Sequence, residues 1–456
     1  MTLNPAAFKA YDVRGVYPDD LDEDGAERIG RAFPALTGAR RIAVGHDVRL
    51  SSPGMSAAFC AGARAGGADV CELGLAATEM VYFAVADGGF DAGAVITASH
   101  NPPKYTGAKL VLAGALPLSG DTGIGELGRM AIADTSPRAE RAGATSTDPG
   151  LLDRFVAAAL GFVDPDRIRG LRVVMDAANG MAGLYLPPVL DRLAIDAVPY
   201  FLELDGHFPN HEPNPLLDEN RVFIESKVLE ERADLGIAWD GDADRCFFID
   251  DRGEFVPGDF LTALLAEHLL RQHGPATVVY DLRASWAVRD TITAAGGTPD
   301  EFRVGHAFIK RRMREIDALF AGEVSGHYYF RDFSYADTGL IPALLVLELV
   351  ANAGRPLSDL VARFRERYHI SGEINSTVPD ATAAIQRIRE RYADGRQTEV
   401  DGLSVAYDDW HFNVRSSNTE PLLRLNLESL VSEADMARRR DEVLDLIRAT
   451  SGVTDG

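Results

Sequence analysis

Short apolar runs and longer amphipathic stretches alternate along most of this chain. Apolar runs typical of buried strands lie at residues 41–45, 94–96, 171–176, 235–239, 246–249 and 277–281. Stretches with helical spacing of apolar residues lie at residues 56–65 and 151–160. Strands that alternate with helices predict an α/β fold whose sheets contain much parallel pairing.

The last quarter of the chain has a different order of elements. Strands are predicted at residues 372–378, 403–407, 410–414 and 422–427, and helices at residues 382–392 and 432–448. This arrangement is typical of an α+β layer.

A positional repeat indicates how the chain divides into domains. In each of three α/β stretches a short apolar strand ends in a polar loop, which contains Ser99, Asp240 or Glu323. Residues 135–150, rich in Ser, Thr, Ala, Gly and Pro, mark a first boundary. We expect three similar α/β mixed-sheet domains and a smaller C-terminal α+β domain around a central cleft, at residues 1–145, 146–254, 255–366 and 367–456.

Composition narrows the possible partners and the compartment. The 456 residues carry a formal net charge of −23, which argues against nucleic acid or an anionic membrane as a partner. The three cysteines have no metal or redox spacing, and the N-terminus has no signal pattern. The most apolar stretch, residues 340–350, is too short to span a bilayer and predicts a buried helix. We therefore expect a cytoplasmic protein.

An acidic loop gives the most specific chemical signal in the sequence. Asp240, Asp242 and Asp244 alternate with small residues, and Gly241 allows the backbone to curl them toward one cation. An EF-hand calcium loop would need Gly at the sixth position and Glu at the twelfth, and flanking helices rather than strands. Mg²⁺ held by few carboxylates and by phosphate oxygens fits better, although a purely structural acidic turn stays open.

A second polar loop follows the apolar run at residues 94–96. Its sequence, T-A-S-H-N-P-P, presents Ser99 at the end of a strand, where open α/β sheets place their chemistry. Pro102 and Pro103 stiffen the loop because each fixes its own φ angle. An ordinary Asn-Pro turn is the alternative. The G-x-S-x-G elbow is absent, so Ser99 and His100 do not form a hydrolase dyad.

Two further loops offer groups that suit a sugar phosphate. The G-E-V-S-G-H loop carries Glu323, Ser325 and His327, a mix of acceptor, hydroxyl and titratable donor. Arg415 opens R-S-S-N-T, where a guanidinium and hydroxyls could surround a phosphate. Taken alone, the Glu323 loop fits a structural turn better than a sugar site, and the Arg415 loop fits an N-cap turn as well as it fits a phosphate site.

Together, these four stretches resemble the α-D-phosphohexomutases. The motifs follow the family's order over nearly the whole chain: T-A-S-H-N-P-P-x-x-x-G-x-K, D-G-D-A-D, G-E-x-S-G-H and R-x-S-N-T. The resemblance is closest to the bacterial phosphomannomutase and phosphomannomutase/phosphoglucomutase branch. The resemblance implies that Ser99 carries a phosphoryl group. One departure is Arg283, where related dual-specificity enzymes often have Lys, so its role is an open question.

The resemblance also implies a set of site residues. The catalytic residues would be Ser99, Arg14, His100, Lys109, Arg245 and His327. The metal ligands would be Ser99, Asp240, Asp242 and Asp244. The substrate-binding residues would be Tyr11, Arg283, His306, Glu323, Ser325, His327, Arg415, Ser417, Asn418 and Thr419.

The resemblance implies an isomerase, a phosphomannomutase that interconverts mannose 6-phosphate and mannose 1-phosphate. Mg²⁺ would be the cofactor and a hexose 1,6-bisphosphate the intermediate and activator. The partners would be small hexose phosphates, with the enzyme a monomer or homodimer and the fourth domain a lid that excludes water. The alternatives are a phosphoglucomutase, a phosphoglucosamine mutase, a phosphoserine-dependent sugar phosphatase and a non-enzymatic cation-binding protein.

Overall fold

A computed structural model describes residues 3–416 and 422–449 of the chain. The chain divides into two compact units. Unit 1 contains residues 1–258, 305–321 and 325–358, and unit 2 contains residues 259–304, 322–324 and 359–456.

The first stretch of unit 1 forms a mixed sheet flanked by helices. Its strands are β1 (Val13–Val16), β2 (Arg41–His46), β3 (Asp69–Leu75), β4 (Ala92–Ile96), β5 (Tyr105–Leu112), β6 (Leu116–Pro117) and β7 (Thr145–Thr147). Its helices are α1 (Glu23–Thr37), α2 (Ser52–Ala65), α3 (Thr78–Asp87) and α4 (Ile124–Ala133). The strand order is β1-β5-β4-β2-β3-β7, with β6 paired to β5. Strands β4, β2, β3 and β7 are parallel, whereas β5 runs antiparallel to β4 and β1.

The second stretch of unit 1 repeats this mixed arrangement. Its elements are α5 (Leu151–Leu160), β8 (Arg169–Asp176), α6 (Ala182–Leu190), β9 (Ala194–Tyr200), α7 (Asp218–Glu231), β10 (Leu235–Trp239), β11 (Cys246–Asp250) and β12 (Phe255–Val256). The strand order is β12-β11-β10-β8-β9, with β10, β8 and β9 parallel and β11 antiparallel to β10. Every residue of β4 and of β10 is buried, which explains their unbroken apolar character.

The third stretch of the chain contributes to both units. Its elements are α8 (Gly258–His273), β13 (Thr277–Asp281), α9 (Trp286–Ala294), β14 (Thr298–Phe302), α10 (His306–Ile316), β15 (Phe320–Gly322), β16 (Tyr328–Phe330), β17 (Ala336–Asp337), α11 (Leu340–Ala353) and α12 (Leu357–Arg367). In unit 2, β13 and β14 are parallel, and in unit 1, β16 and β17 are antiparallel.

The fourth stretch is an antiparallel sheet with two helices in unit 2. Its elements are β18 (His369–Ile370), β19 (Ile374–Thr377), α13 (Ala381–Arg391), β20 (Arg396–Thr398), β21 (Leu403–Ala406), β22 (Trp410–Ser416), β23 (Leu422–Ser429) and α14 (Glu433–Arg448). The strand order is β18-β23-β22-β21-β20, with β19 also paired to β23. In its core, alternate residues of the strands, such as Phe412 and Val414, pack against both helices.

Most predicted elements are confirmed, with small differences at their ends. Strands β10 and β13 and helix α5 have the predicted bounds. Helix α2 begins at Ser52, four residues before the predicted start, because Pro53 lies in the first turn, where its missing N–H costs no hydrogen bond. Helix α11 is buried, as predicted. Within residues 3–416 and 422–449, no single helix is long and apolar enough to cross a membrane.

Candidate active site

The loop after β4 holds Ser99 in a restricted position. Ser99 is buried and has a φ of 52°, which few residues other than glycine adopt. Its N–H donates to Thr97 Oγ1 at 2.9 Å, and the Asn101 N–H donates to the Ala98 carbonyl at 3.1 Å. The strand end and these local bonds therefore define where the Ser99 hydroxyl points.

The Ser99 hydroxyl lies between an imidazole and a carboxylate. Its Oγ is 3.1 Å from His100 Nδ1 and 3.1 Å from Asp240 Oδ2. Arg245 Nη2 lies 2.9 Å from the same imidazole nitrogen. Burial, together with the charges of Arg245, Arg14 and Lys109, lowers the pKa of His100 well below its ordinary value. His100 is therefore neutral, with Nδ1 free to accept from Arg245.

Three of the four predicted metal ligands, the aspartates, lie close together. Asp240, Asp242 and Asp244 follow β10, are fully buried, and each offers a carboxylate oxygen within 4.8 Å of the others. Gly241 permits a close approach, since a Cβ there would lie 2.6 Å from the Ser99 carbonyl oxygen. Ala243, with a φ of 65°, completes the curl of the loop.

Lys109 is the main cation of this cluster. Its Nζ lies 2.6 Å from Asp242 Oδ2 and also contacts Asp244 Oδ2. Burial and the neighbouring carboxylates of Asp242 and Asp244 raise the pKa of Asp240 well above its ordinary value. Burial opposes ionisation of Asp244 too, but Lys109, His327 and Arg245 hold its pKa well below the ordinary value. Arg245 Nε, 3.5 Å from Asp240 Oδ2, offsets this rise of the Asp240 pKa only in part.

These carboxylates suit a divalent cation. Among the described residues, Asp242 Oδ1 and Asp244 Oδ1 are buried without a hydrogen-bond partner. Unpaired buried carboxylate oxygens are costly unless a cation joins them. Oxygen ligands of this kind are those that Mg²⁺ prefers.

A second group of predicted residues lies beside Asp244. His327 Nε2 is 3.6 Å from Asp244 Oδ1, and His327 Nδ1 is 3.1 Å from Ser325 Oγ. The rings of His327 and His306 stack at 6.0 Å, and Tyr11 meets His306 edge to face at 5.7 Å. The predicted residues Ser325, His327, His306 and Tyr11 are therefore close to the acidic cluster.

Arg14 contacts the Ser99 loop from β1. Its Nη1 donates to Asn101 Oδ1 at 2.5 Å, and its Nη2 pairs with Asp12. Its Nε is buried without a hydrogen bond among the described residues, whereas Arg245 Nε, which also has no hydrogen bond, lies 3.5 Å from Asp240 Oδ2. The Arg14 guanidinium therefore has one N–H group near Ser99 that is available to an anion.

Unit 2 contains a separate cluster of predicted residues centred on Arg283. Arg283 forms two bonds of 2.9 Å with Asp281 and one of 3.1 Å with Glu373 Oε2. Glu323, predicted to bind sugar, has a carboxylate oxygen 4.0 Å from Arg283 Nη2. The Val324 N–H donates to Asp281 Oδ2 at 2.8 Å, which ties the Glu323 loop to the same aspartate.

Glu373 forms ion pairs with two further arginines of unit 2. Arg424 Nη1 lies 3.0 Å from Glu373 Oε1, and Arg415 Nη2 lies 3.4 Å from Glu373 Oε2. Burial opposes ionisation, but Arg283, Arg424 and Arg415 lower the pKa of Glu373 to about 2. Within the described ranges, the Nε atoms of Arg415 and Arg424 are buried and unpaired. The predicted Ser417, Asn418 and Thr419 lie outside the described residues.

Sequence reasoning missed several residues of these clusters. Glu373 and Arg424 carry no local motif, and Thr78, which donates to Asp242 Oδ2 at 2.5 Å, is the first residue of an ordinary helix. Arg49, fully buried, contacts the Ser99 loop. The Asp-x-Arg spacing after β2 was the only sequence signal for Arg49, and it pointed to no partner.

Comparison with known proteins identifies the family. Family models described as phosphoglucomutase/phosphomannomutase alpha/beta/alpha domains I, II and III match residues 5–127, 153–253 and 257–368, and the C-terminal domain model matches residues 373–446. The chain belongs to the phosphoglucomutase/phosphomannomutase family. It is therefore an enzyme, an isomerase with three α/β domains and a C-terminal domain.

Relatives agree with this family over nearly the full chain. Phosphohexose mutases of Xanthomonas campestris are 45% identical over 98% of this chain and 100% of the relative. A phosphomannomutase of Salmonella montevideo is 43% identical over 98% and 100%. The solved structure of a family protein from Burkholderia thailandensis has a TM-score of 0.88 at 33% identity, with 98% of each chain covered. The resemblance of the sequence motifs to phosphohexomutases is confirmed.

Proposed function

We propose that this isomerase is a phosphomannomutase that interconverts mannose 6-phosphate and mannose 1-phosphate. The observation that carries the proposal is the buried Ser99 hydroxyl, 3.1 Å from Asp240 within a cluster of three aspartates. The phosphomannomutases among its relatives support mannose as the sugar. Glucose and glucosamine phosphates are the alternative substrates.

The proposed reaction moves one phosphoryl group at a time. Ser99 Oγ carries the phosphoryl group in the resting enzyme and gives it to the free hydroxyl of the bound sugar phosphate. That hydroxyl loses its proton, and Ser99 Oγ, the leaving group, takes up a proton. The product of this half-reaction is a hexose 1,6-bisphosphate. Its other phosphoryl group then moves to Ser99 Oγ, whose hydroxyl loses its proton, and the sugar oxygen takes up a proton. A hexose 1,6-bisphosphate also serves as activator, because it phosphorylates any free Ser99.

Asp240, Asp242 and Asp244, with the phosphate on Ser99, would hold Mg²⁺. A bound Mg²⁺ withdraws charge from the transferring phosphoryl group. Arg14 offers an N–H group without a hydrogen bond to phosphoryl oxygens near Ser99, and the charge of Arg245, 3.5 Å from Asp240 Oδ2, lies beside them. The transition state of phosphoryl transfer is loose, so this positioning of charge supplies most of the rate enhancement.

Lys109 and His327 are the proposed proton-transfer groups. Burial lowers the pKa of Lys109, but the charges of Asp242 and Asp244 raise it by more, so Lys109 stays charged while those carboxylates are ionised. His327 Nε2 lies 3.6 Å from Asp244 Oδ1, and an imidazole nitrogen can both give and accept a proton. His100, being neutral, would orient the Ser99 hydroxyl rather than donate a proton.

Residues of unit 2 would bind the hexose phosphate. Arg415, with Ser417, Asn418 and Thr419, would hold the phosphate that is not being transferred. Glu323, with Arg283 beside it, would accept hydrogen bonds from sugar hydroxyls, and Ser325 and His306 of unit 1 would add polar contacts. We further propose a cytoplasmic location, which the three free, buried cysteines support.

A coupled assay tests the proposal. Mannose, glucose and glucosamine 1-phosphates are compared with Mg²⁺ and a trace of glucose 1,6-bisphosphate, and inorganic phosphate is monitored. We expect rapid 6-phosphate formation from the mannose compound without phosphate release. Ser99→Ala abolishes turnover, whereas Ser358→Ala, another buried serine, retains it. Phosphate release as the main event would instead identify a phosphatase.

A further inference from the structure

Arg49 is a buried arginine whose side chain is directed at the backbone of the Ser99 loop. It follows β2 and is fully buried. Its Nη2 donates to the carbonyl oxygens of Ser99 and Asn101, each at 2.6 Å. Its Nη1 donates to the Pro102 carbonyl at 2.8 Å. One planar guanidinium therefore binds three carbonyl groups of four consecutive residues.

The guanidinium is itself held in place. Arg49 Nε lies 3.1 Å from Asp47 Oδ2, while Asp47 Oδ1 accepts from the Arg49 N–H at 3.0 Å and from Ser52 Oγ at 2.5 Å. The Phe208 ring centroid lies 5.2 Å from the guanidinium carbon. A Cβ at Gly206 would lie 2.5 Å from the Val48 carbonyl, so the backbones there are in close contact. Arg49 has little freedom to move.

The carbonyl that Arg49 binds belongs to the residue with the strained backbone. Ser99 has a φ of 52°, a conformation that is strained for a residue other than glycine. Gly241 lies close to the same Ser99 carbonyl oxygen, since a Cβ at Gly241 would be 2.6 Å from it. Charge-assisted bonds from Arg49 offset the strain, and together with the Ser99 N–H bond to Thr97 Oγ1 they fix the backbone from which the Ser99 side chain extends.

We propose that Arg49 is a positioning residue for phosphoryl transfer at Ser99. It holds the Ser99 carbonyl so that Oγ stays beside Asp240, and it touches neither substrate nor the transferring group. The inference rests on the proposed role of Ser99. Lysine cannot replace Arg49, because one ammonium lacks the fork that reaches three carbonyls and Asp47 together.

The test compares Arg49→Lys with Arg221→Lys. Arg221 is a matched buried arginine that donates to the carbonyls of Pro215 and Leu216, both at 2.9 Å, and lies 4.1 Å from the Phe255 ring centroid. For each variant we would measure thermal unfolding, kcat, KM, and phosphate released per isomerisation. Phosphorylation of Ser99 by glucose 1,6-bisphosphate would be followed by intact mass.

We expect Arg49→Lys to lower kcat on the order of a hundredfold at unchanged KM, as for a misplaced reacting group. Phosphate released per isomerisation should rise, because a misdirected phosphoserine exposes its phosphoryl group to water. Arg221→Lys should lower only the melting temperature. Wild-type kcat in a folded Arg49→Lys would overturn the inference, as would an equal loss in Arg221→Lys.

A second variant decides the question if Arg49→Lys does not fold. Asp47→Asn keeps the shape of the anchor and weakens its charge, so kcat should fall in the same direction by a smaller factor; an unchanged kcat would overturn the inference. Failure of the wild type to gain one phosphoryl group on Ser99 would instead reject the proposed function.

Discussion

The charged clusters of the two units differ in which buried polar atoms have no hydrogen bond. Around Ser99 in unit 1, the described atoms without a hydrogen bond include a carboxylate oxygen each of Asp242 and Asp244 and the guanidinium Nε of Arg14, while Arg245 Nε lies 3.5 Å from Asp240 Oδ2. Around Glu373 in unit 2, the unpaired atoms are the guanidinium Nε atoms of Arg415 and Arg424. One cluster therefore suits a cation together with an anion, and the other suits an anion alone.

This difference separates two tasks of the proposed reaction. Transfer of a phosphoryl group needs charge of both signs, because a metal must be held and the transferring oxygens must be neutralised. Holding a phosphate that does not react needs only donors. Substitutions in unit 1 should therefore lower kcat and the response to metal, and substitutions in unit 2 should change KM.

The largest effect is expected for Asp242→Asn. Asp242 Oδ2 bonds Lys109 and Thr78, which leaves Oδ1 for a cation. Loss of this carboxylate should lower kcat on the order of a thousandfold and weaken Mg²⁺ binding, as measured by calorimetry. Asp250→Asn is the control, since Asp250 lies at the end of β11 and accepts from the N–H groups of Arg252 and Glu254. Normal Mg²⁺ affinity in Asp242→Asn would contradict the assignment.

Arg415→Met should give the next largest effect. Removing a charge-assisted phosphate contact costs about 1.5–3 kcal/mol, so KM should rise roughly tenfold to a hundredfold. The fall in kcat should be smaller, and the Mg²⁺ affinity should not change. Arg387→Met is the control, because Arg387 of α13 donates to the carbonyls of Leu446 and Ala449 at the end of α14. A lower kcat at unchanged KM would remove the distinction between the two clusters.

Glu373→Gln should destabilise the protein in a pH-dependent way. The pKa of Glu373 is about 2 in the folded protein against an ordinary 4.5, so folding favours its charged form. Its contribution, roughly 3 kcal/mol, is complete above pH 4.5 and is lost as the pH falls toward 2. Denaturant unfolding should show the wild type more stable than the variant near neutral pH, with the difference shrinking below pH 4.5. A difference that grows on acidification would contradict the ion-pair network.

The smallest effect is expected for Arg283→Lys. Lysine keeps the charge but cannot make the paired bonds to Asp281 while also reaching Glu373. We expect KM for the sugar phosphates to change by a few-fold, with kcat and Mg²⁺ affinity nearly unchanged. Steady-state kinetics with mannose and glucose 1-phosphates measures this. A loss as large as that of Asp242→Asn would place Arg283 in the chemistry itself.

Local signals explain what the sequence could predict. Strands β4 and β10 are buried throughout, so their apolar runs stand out, and the loops that follow them contain Ser99 and the three aspartates. The three carboxylates lie within five residues, so their convergence needs only a local turn of the backbone. The positions of Ser99 and the three aspartates could therefore be predicted without knowledge of the rest of the fold.

Contacts between distant parts of the chain explain what was missed. Glu373 meets Arg283 across 90 residues, and Arg49 meets the Ser99 carbonyl across 50. Nothing near Glu373 or Arg49 in the sequence identifies those partners, because the pairing depends on how the strands are arranged. The strained φ of Ser99 was equally invisible, since it depends on the bonds that hold the loop.

Transfer of label from Ser99 tests the central claim most directly. The enzyme is phosphorylated on Ser99 with radiolabelled phosphate, separated from the donor, and mixed with mannose 6-phosphate and Mg²⁺. We predict that the label moves to mannose bisphosphate and mannose monophosphates, with little inorganic phosphate, and that Asp242→Asn slows this transfer. Label that stays on the protein, or that appears only as inorganic phosphate, would contradict the account.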